Sequence, residues 1–245
     1  MKYITPLFAI LLMLVSCKED PQEIVDRAIE AAGSDKLDQK EVLFDFREYS
    51  YRSVHDGSEF ELERIIPDSS GIITDRIDNK GFTRLKDGEL VELEDTTAGK
   101  YRNSVNSVHY FAYLPKGLND PAVNKEYLGE VVIEGEPYHK LKVTFDQQGG
   151  GEDFEDVFLY WINKKSYKVD YLAYEYHTNG GGMRFREVYN RRNIGGIDFV
   201  DYRNFKPASK EASLMELDSL FEEDALELLS LIELKNVKVN PCTDC

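Results

Sequence analysis

The chain has 245 residues and a formal net charge of −16, with 46 acidic residues against 30 lysines and arginines. That balance repels nucleic acid and anionic lipid headgroups, so neither is expected as a partner held by charge. Its length and 42% hydrophobic content suffice for a sizeable core.

Residues 1–16 read as an export signal. Lys2 supplies the positive start, residues 7–15 are an almost unbroken apolar run, and small Ser16 stands directly before Cys17. A run this short does not span a bilayer comfortably. The ending Leu14-Val15-Ser16-Cys17 resembles a bacterial lipobox. That resemblance implies a mature chain that begins at Cys17, is acylated there, and is anchored to the lipid bilayer without crossing it. An ordinary signal peptide ending near a cysteine is the plainer alternative. Removing residues 1–16 takes away only Lys2 among the charged residues, so the mature chain stays acidic and no polybasic patch can assist the anchor. Residues 17–22 form the lipidated tether. Within it Lys18-Glu19-Asp20 resembles the short signal that directs some Bacteroidota lipoproteins to the outer face of the outer membrane. Three solvated polar residues are the competing reading.

No Pro/Ser tract, low-complexity run or composition shift interrupts residues 23–240, which are expected to form a single β-rich domain. A helix is predicted over residues 21–32. Pro21 suits a first turn, Ile24, Val25, Ala28, Ile29 and Ala32 recur at helical spacing, and Gly33 can close the end. Period-two alternation then takes over. Val42, Phe44 and Phe46 open a run that continues to Tyr51, and strands are predicted at residues 59–66, 72–77 and 82–86 between Gly-, Asn- and Asp-rich turns. Residues 96–114 break this rhythm. Val105, Val108, Tyr110, Phe111 and Leu114 sit near helical spacing and Pro115 stops the run, so a helix is predicted there, followed by a loop to residue 124.

Strand pattern fills the second half, at residues 128–134, 138–145, 156–162, 168–177, 184–190 and 197–205. Gly149-Gly150-Gly151 and Gly180-Gly181-Gly182 each separate two such runs and predict hairpins. A phosphate loop would need a helix next and usually a Lys-Ser/Thr pair; Asp153-Phe154 and Arg184-Phe185 open strands instead. Residues 216–228 are acidic and predicted to be a short helix, and one final strand follows through Ile232, Leu234, Val237 and Val239. Together these elements predict a mainly β (α+β) fold. The expected form is a strongly curved antiparallel sheet or half-open β-barrel, with an N-terminal helix and an inserted helix near residues 96–114.

The C-terminal tail, residues 241–245, carries Cys242 and Cys245 in a C-x-x-C. A thioredoxin-like redox motif opens a helix after a strand, and a zinc site would need two more ligands. An exported protein more often closes such a pair into a small disulfide loop or leaves it in a frayed terminus.

Tyr110-Phe111-Ala112-Tyr113-Leu114-Pro115, Leu118-Asn119-Asp120-Pro121, Lys142-Val143-Thr144-Phe145, Val157-Phe158-Leu159-Tyr160-Trp161-Ile162-Asn163 and Gly182-Met183-Arg184-Phe185-Arg186, with the two triple glycines, resemble a family of Bacteroidota lipoproteins of unknown function. The resemblance covers most of the mature chain. Some members are labelled deoxyribose-phosphate aldolase. The broader shape is similar to the half-open barrel of LolA/LolB-like lipoprotein-localisation proteins, which hold acyl chains under a helical lid; that likeness is one of fold. The aldolase label fails on chemistry. It requires a Schiff-base lysine at the end of a strand in a (β/α)₈ barrel, whereas this chain lacks the strand–helix repeat and places lysines in turn-like contexts such as Lys164-Lys165.

Catalytic and metal motifs are not evident, and no cofactor is implied. His55, His109, His139 and His177 form no His-x-His or His-x-x-x-His pair. His177 and Arg184 are the weaker polar candidates for an envelope hydrolase. Glu152, Asp153, Glu155 and Asp156 lack the spacing of a calcium loop. The more useful clue is aromatic. Tyr160, Trp161, Tyr174, Tyr176, Phe185, Tyr189, Phe199 and Tyr202 crowd neighbouring strands, and residues 170–177 carry rings on both faces. Such strands are packed on both sides, and tyrosine keeps a polar end on an otherwise apolar wall. The rings either line a cavity for a hydrophobic or lipid-like ligand or simply fill a core. The expected function is a carrier or sensor exported to the outer membrane and exposed at its surface, with a ligand-free interaction lipoprotein as the alternative.

Overall fold

The computed structural model describes residues 19–149, 154–177 and 180–242. The expected export signal, Cys17, Lys18 and Cys245 lie outside the described residues. Helix α1 (Pro21–Ala32) starts at Asp20, whose carboxylate accepts the Gln22 N–H, and ends at Gly33 in the left-handed region at φ 68°. A Cβ at Gly33 would also run into the carbonyl oxygen of Gly196, so glycine is required there for space as well as for backbone angle.

Strands β1 (Lys40–Phe46), β2 (Tyr49–Asp56), β3 (Glu59–Asp68), β4 (Gly71–Asp78), β5 (Gly81–Lys86) and β6 (Glu89–Leu90) follow as antiparallel hairpins. Helix α2 (Asp95–Ala112) crosses next. Then come β7 (Val123–Ile133), β8 (Glu136–Phe145), β9 (Val157–Asn163), β10 (Val169–Tyr176), β11 (Gly182–Ile194) and β12 (Ile197–Pro207). A short helix α3 (Leu217–Glu222) precedes β13 (Leu226–Ile232) and β14 (Leu234–Pro241). The strands form two seven-stranded sheets, ordered β14-β1-β2-β3-β4-β5-β6 and β13-β12-β11-β10-β9-β8-β7. Only Glu233 separates β13 from β14, yet Ile232 pairs with Tyr202 of one sheet and Leu234 with Phe46 of the other. One bent strand thus joins both sheets into a curved, unclosed antiparallel surface. This is the mainly β architecture the alternation predicts, and α2 occupies the predicted insertion.

Four boundaries differ from the sequence expectation. The run to Tyr51 folds back at Arg47-Glu48, with Arg47 at φ 55° and no glycine, asparagine or proline to signal the turn. β7 begins at Val123 rather than residue 128, because a register shift between Tyr127 and Gly129 breaks its alternation. Only Leu217–Glu222 of the acidic segment is helical, and the chain is already β at Leu226. The single final strand is two, divided at Glu233.

Both faces of the second sheet are covered. On the inner face, Ile24, Val25 and Ala28 of α1 pack against Leu141, Val143, Tyr160, Ile162 and Leu172. On the outer face, Leu159, Trp161, Tyr171, Ala173 and Phe185 lie under Leu214, Leu217, Leu220 and Phe221. Each fully buried large apolar side chain contributes about 1.5–3 kcal/mol. Among the described residues the first sheet receives a helix on one face only. Its inner face receives α2 through Val105 on Leu62 and Ile77. Its other face carries cross-strand ion pairs from Glu41 through Arg52 to Glu61 and Glu63, and on to Arg76.

A candidate ligand cavity between the sheets

The inner faces border a half-open cavity of about 570 Å³. Its walls come from the β1–β2 hairpin (Phe46, Tyr49, Tyr51), the second half of α2 (Val108, Tyr110, Phe111), and β9 to β13 (Phe158, Tyr174, Tyr176, Val200, Tyr202, Ile232). Alternation decides which residues arrive there. Tyr174 and Tyr176 share one face of β10, and Tyr171 and Ala173 take the other. The lining rings support one another. Phe158 and Tyr174 stack at 5.2 Å between centroids, with Phe111 5.6 Å from Tyr174.

Polar groups make up a good part of this wall: Ser104, Asn106, Ser107, Asn204 and Ser230 line it together with six charged residues, Arg47, Glu48, Arg64, Asp156, Arg184 and Arg186. Tyr110 and Tyr160 hydroxyls are hydrogen-bonded at 2.8 Å. Burial raises both phenols far above their ordinary range and pushes Tyr202 up to about 12, so these three phenols stay neutral at physiological pH. Arg184 donates through Nη2 to Tyr176 Oη at 2.8 Å and through Nη1 to the Met183 carbonyl at 2.7 Å. Arg186 donates through Nη2 to Tyr174 Oη at 2.8 Å. Arg64 reaches the cavity from β3 while bonded to Asp75 and to Ser104 Oγ of α2.

The residues singled out from sequence divide into distinct places. Tyr174, Tyr176, Tyr202 and Arg184 line the cavity. Tyr160 lies behind the wall, fully buried and joined to Tyr110. Trp161 and Phe185 belong to the outer-face core, 5.4 Å apart, where period-two alternation turns them away from the cavity. Phe199 packs with Val42, Phe44 and Tyr113 between the sheets. Tyr189 donates its hydroxyl to Glu233 at 3.0 Å, and His177 is exposed; neither lines the cavity. Cys242 is disulfide-bonded. Among the described residues no three His, Cys, Asp or Glu side chains gather as a metal site needs, and Glu152 and Asp153 lie outside those residues.

Sequence reading missed Tyr110 and Phe111 as lining, although their helical spacing was visible. It also missed Arg64 and Arg186, because a charged residue in an alternating strand reads as a solvent-facing one. The signal for Arg186 is register: it pairs with Leu172 and stands two residues from Arg184, which pairs with Tyr174.

The two curved, unclosed sheets have a LolA-like fold. A LolA superfamily protein from Nitrosomonas europaea superposes with a TM-score of 0.50 over 90% of this chain and 94% of that one, at 14% identity. At that identity the likeness is one of fold. A DUF1329 family protein from Desulfovibrio piger (TM-score 0.49, 11% identity, 90% and 93% covered) and an outer membrane lipoprotein-sorting protein domain from Vibrio parahaemolyticus (0.34, 8%, 90% and 94%) are more distant. No curated protein matches the chain in sequence. The chain belongs to a family of unknown function, DUF6503, which matches residues 6–234. No helix among the described residues is long and apolar enough to cross a membrane.

Proposed function

We propose that this protein is an exported, lipid-anchored protein of the cell envelope that binds a hydrophobic or lipid-like ligand between its sheets, as a carrier or sensor. The observation that carries this reading is the aromatic cavity of about 570 Å³, within the size range of small-molecule sites. The LolA-like fold supports it. The anchor is read from the leader pattern: acylation at Cys17, retention at the outer membrane, and surface exposure through Lys18-Glu19-Asp20. Mass measurement of the exported chain tests the anchor. A start at Cys17 with added acyl groups supports it, and an unmodified start elsewhere overturns it.

Native mass spectrometry and organic extraction test the ligand. A fatty acid or phospholipid co-purifying at near-stoichiometric amounts is expected. A clean ligand-free mass, with no uptake of an added hydrophobic fluorophore, removes the carrier reading. That result favours a second one, an interaction lipoprotein, which draws on the exposed Leu228, Leu229 and Leu231 of β13 at 57%, 46% and 54% exposure.

A further inference from the structure

We propose that the cavity selects amphiphiles with an acidic group, an apolar chain ending in a carboxylate or phosphate, and that Arg186 holds that group. The inference rests on the ligand-cavity reading and narrows it. Three cations are buried among the described residues, Arg64, Lys140 and Arg186, each 7% exposed. Two have a carboxylate: Arg64 bonds Asp75 at 2.6 Å and Lys140 bonds Asp218 at 2.7 Å. Arg186 has none among the described residues, and its side chain meets the cavity beside Tyr174 and Tyr202, in a lining that the paired Arg64 shares.

A guanidinium cannot shed its proton, so its charge stays at any physiological pH. Buried charges are ordinarily paired, because removing one from water is costly. Here a single hydrogen bond to Tyr174 is made, Nε is buried without a partner, and the remaining compensation is aromatic. The guanidinium carbon stands 3.9 Å from the Phe111 ring centroid, 5.1 Å from Tyr174 and 5.7 Å from Tyr202. Ring faces offset part of a cation's desolvation but supply no hydrogen-bond acceptor. The surroundings point the same way. Arg47, Arg64 and Arg184 share the wall with Arg186 against Glu48 and Asp156, reversing the charge balance of a chain with 46 acidic residues and 30 basic ones. A cavity with aromatic walls and a buried, under-satisfied planar donor among them fits a ligand that brings an acyl chain and an anionic oxygen pair together.

Displacement of a neutral fluorophore, N-phenyl-1-naphthylamine, from the purified chain tests this. Palmitate and palmitoyl lysophosphatidate should displace it at least about tenfold more effectively than hexadecanol, the difference a charge-assisted hydrogen bond makes. Inorganic phosphate alone should not displace it. In R186M the palmitate-to-hexadecanol ratio should fall to about one. Because methionine removes an unpaired buried charge, the ligand-free Tm of R186M should equal or exceed that of the native chain. R186Q, which keeps a polar end but no charge, makes the same comparison if R186M does not fold. Equal displacement by palmitate and hexadecanol, or a ratio that survives in both variants, overturns the inference and leaves the cavity reading standing. Displacement by inorganic phosphate overturns it in favour of a free-anion site. Failure of the fluorophore to bind at all overturns the cavity reading itself.

Discussion

Asp75 has no exposed surface and serves two guanidiniums, accepting from Arg64 Nη2 at 2.6 Å and from Arg84 Nε at 2.6 Å. Replacing it with Asn leaves two cations facing a neutral amide in the middle of the first sheet. D75N should lose about 3–5 kcal/mol in urea unfolding, since breaking a buried pair strands its partner. His109 makes a second prediction. It is 1% exposed, and its Nε2 donates to the Glu63 carbonyl at 3.1 Å. Burial pushes its pKa down to about 4, opposed by that bond and assisted by the charge of His55. An unfolded histidine titrates near 6.5. Between these values the unfolded chain takes up a proton that the native chain refuses. Stability present above about pH 6.5 is therefore lost as pH falls toward 4. The fall between pH 6 and pH 5 should be about 1 kcal/mol shallower in H109Q than in the native chain, measured by urea unfolding at each pH. Single-residue facts of this kind were the least legible in the sequence. His109 and Asp75 are one polar letter each, and their burial is set by strands distant in the chain.

The helix α3 is too short to hold itself in place, and it is fixed by side chains beneath it. Lys140 Nζ donates to Asp218 at 2.7 Å and to the Met215 carbonyl at 2.8 Å, while Trp161 Nε1 donates to Asp218 at 3.1 Å. D218A strands a buried ammonium and an indole N–H and should cost about 3 kcal/mol. Trp161 is the only tryptophan. Its emission should shift to the red as α3 lifts and water reaches the outer face; a lower stability with unchanged emission would mean the helix stays docked. Elements themselves were well written in the sequence. Alternation marked nearly every strand, and spacing marked α1 and α2, because one-sided burial imposes those periods. What failed were the joints. Arg47-Glu48 turns without a turn residue, and Glu233 changes sheets with no residue type that announces a bend.

For the whole molecule, the mainly β, unclosed form followed from the count of strands and the need to manage edges, but the space between sheets did not. Tyr174 and Tyr160 look alike in sequence; one lines a void and the other is packed behind its wall. Volume arises from how far the two sheets stand apart, which no local pattern encodes. Val200 lies on that inner wall. V200W should therefore abolish fluorophore uptake while Tm stays within a few degrees, because the new ring fills space rather than displacing packed atoms. The arrangement of charge carries a kinetic consequence. A net charge of −16 surrounds a lining that holds Arg47, Arg64, Arg184 and Arg186. An anionic amphiphile is repelled at a distance and attracted only on arrival. Raising ionic strength from 0.01 to 0.15 M shortens the reach of the outer field from about 30 to about 8 Å and barely touches buried contacts. Stopped-flow association with palmitate should thus accelerate with salt while release holds steady, the reverse of an encounter steered by opposite charges.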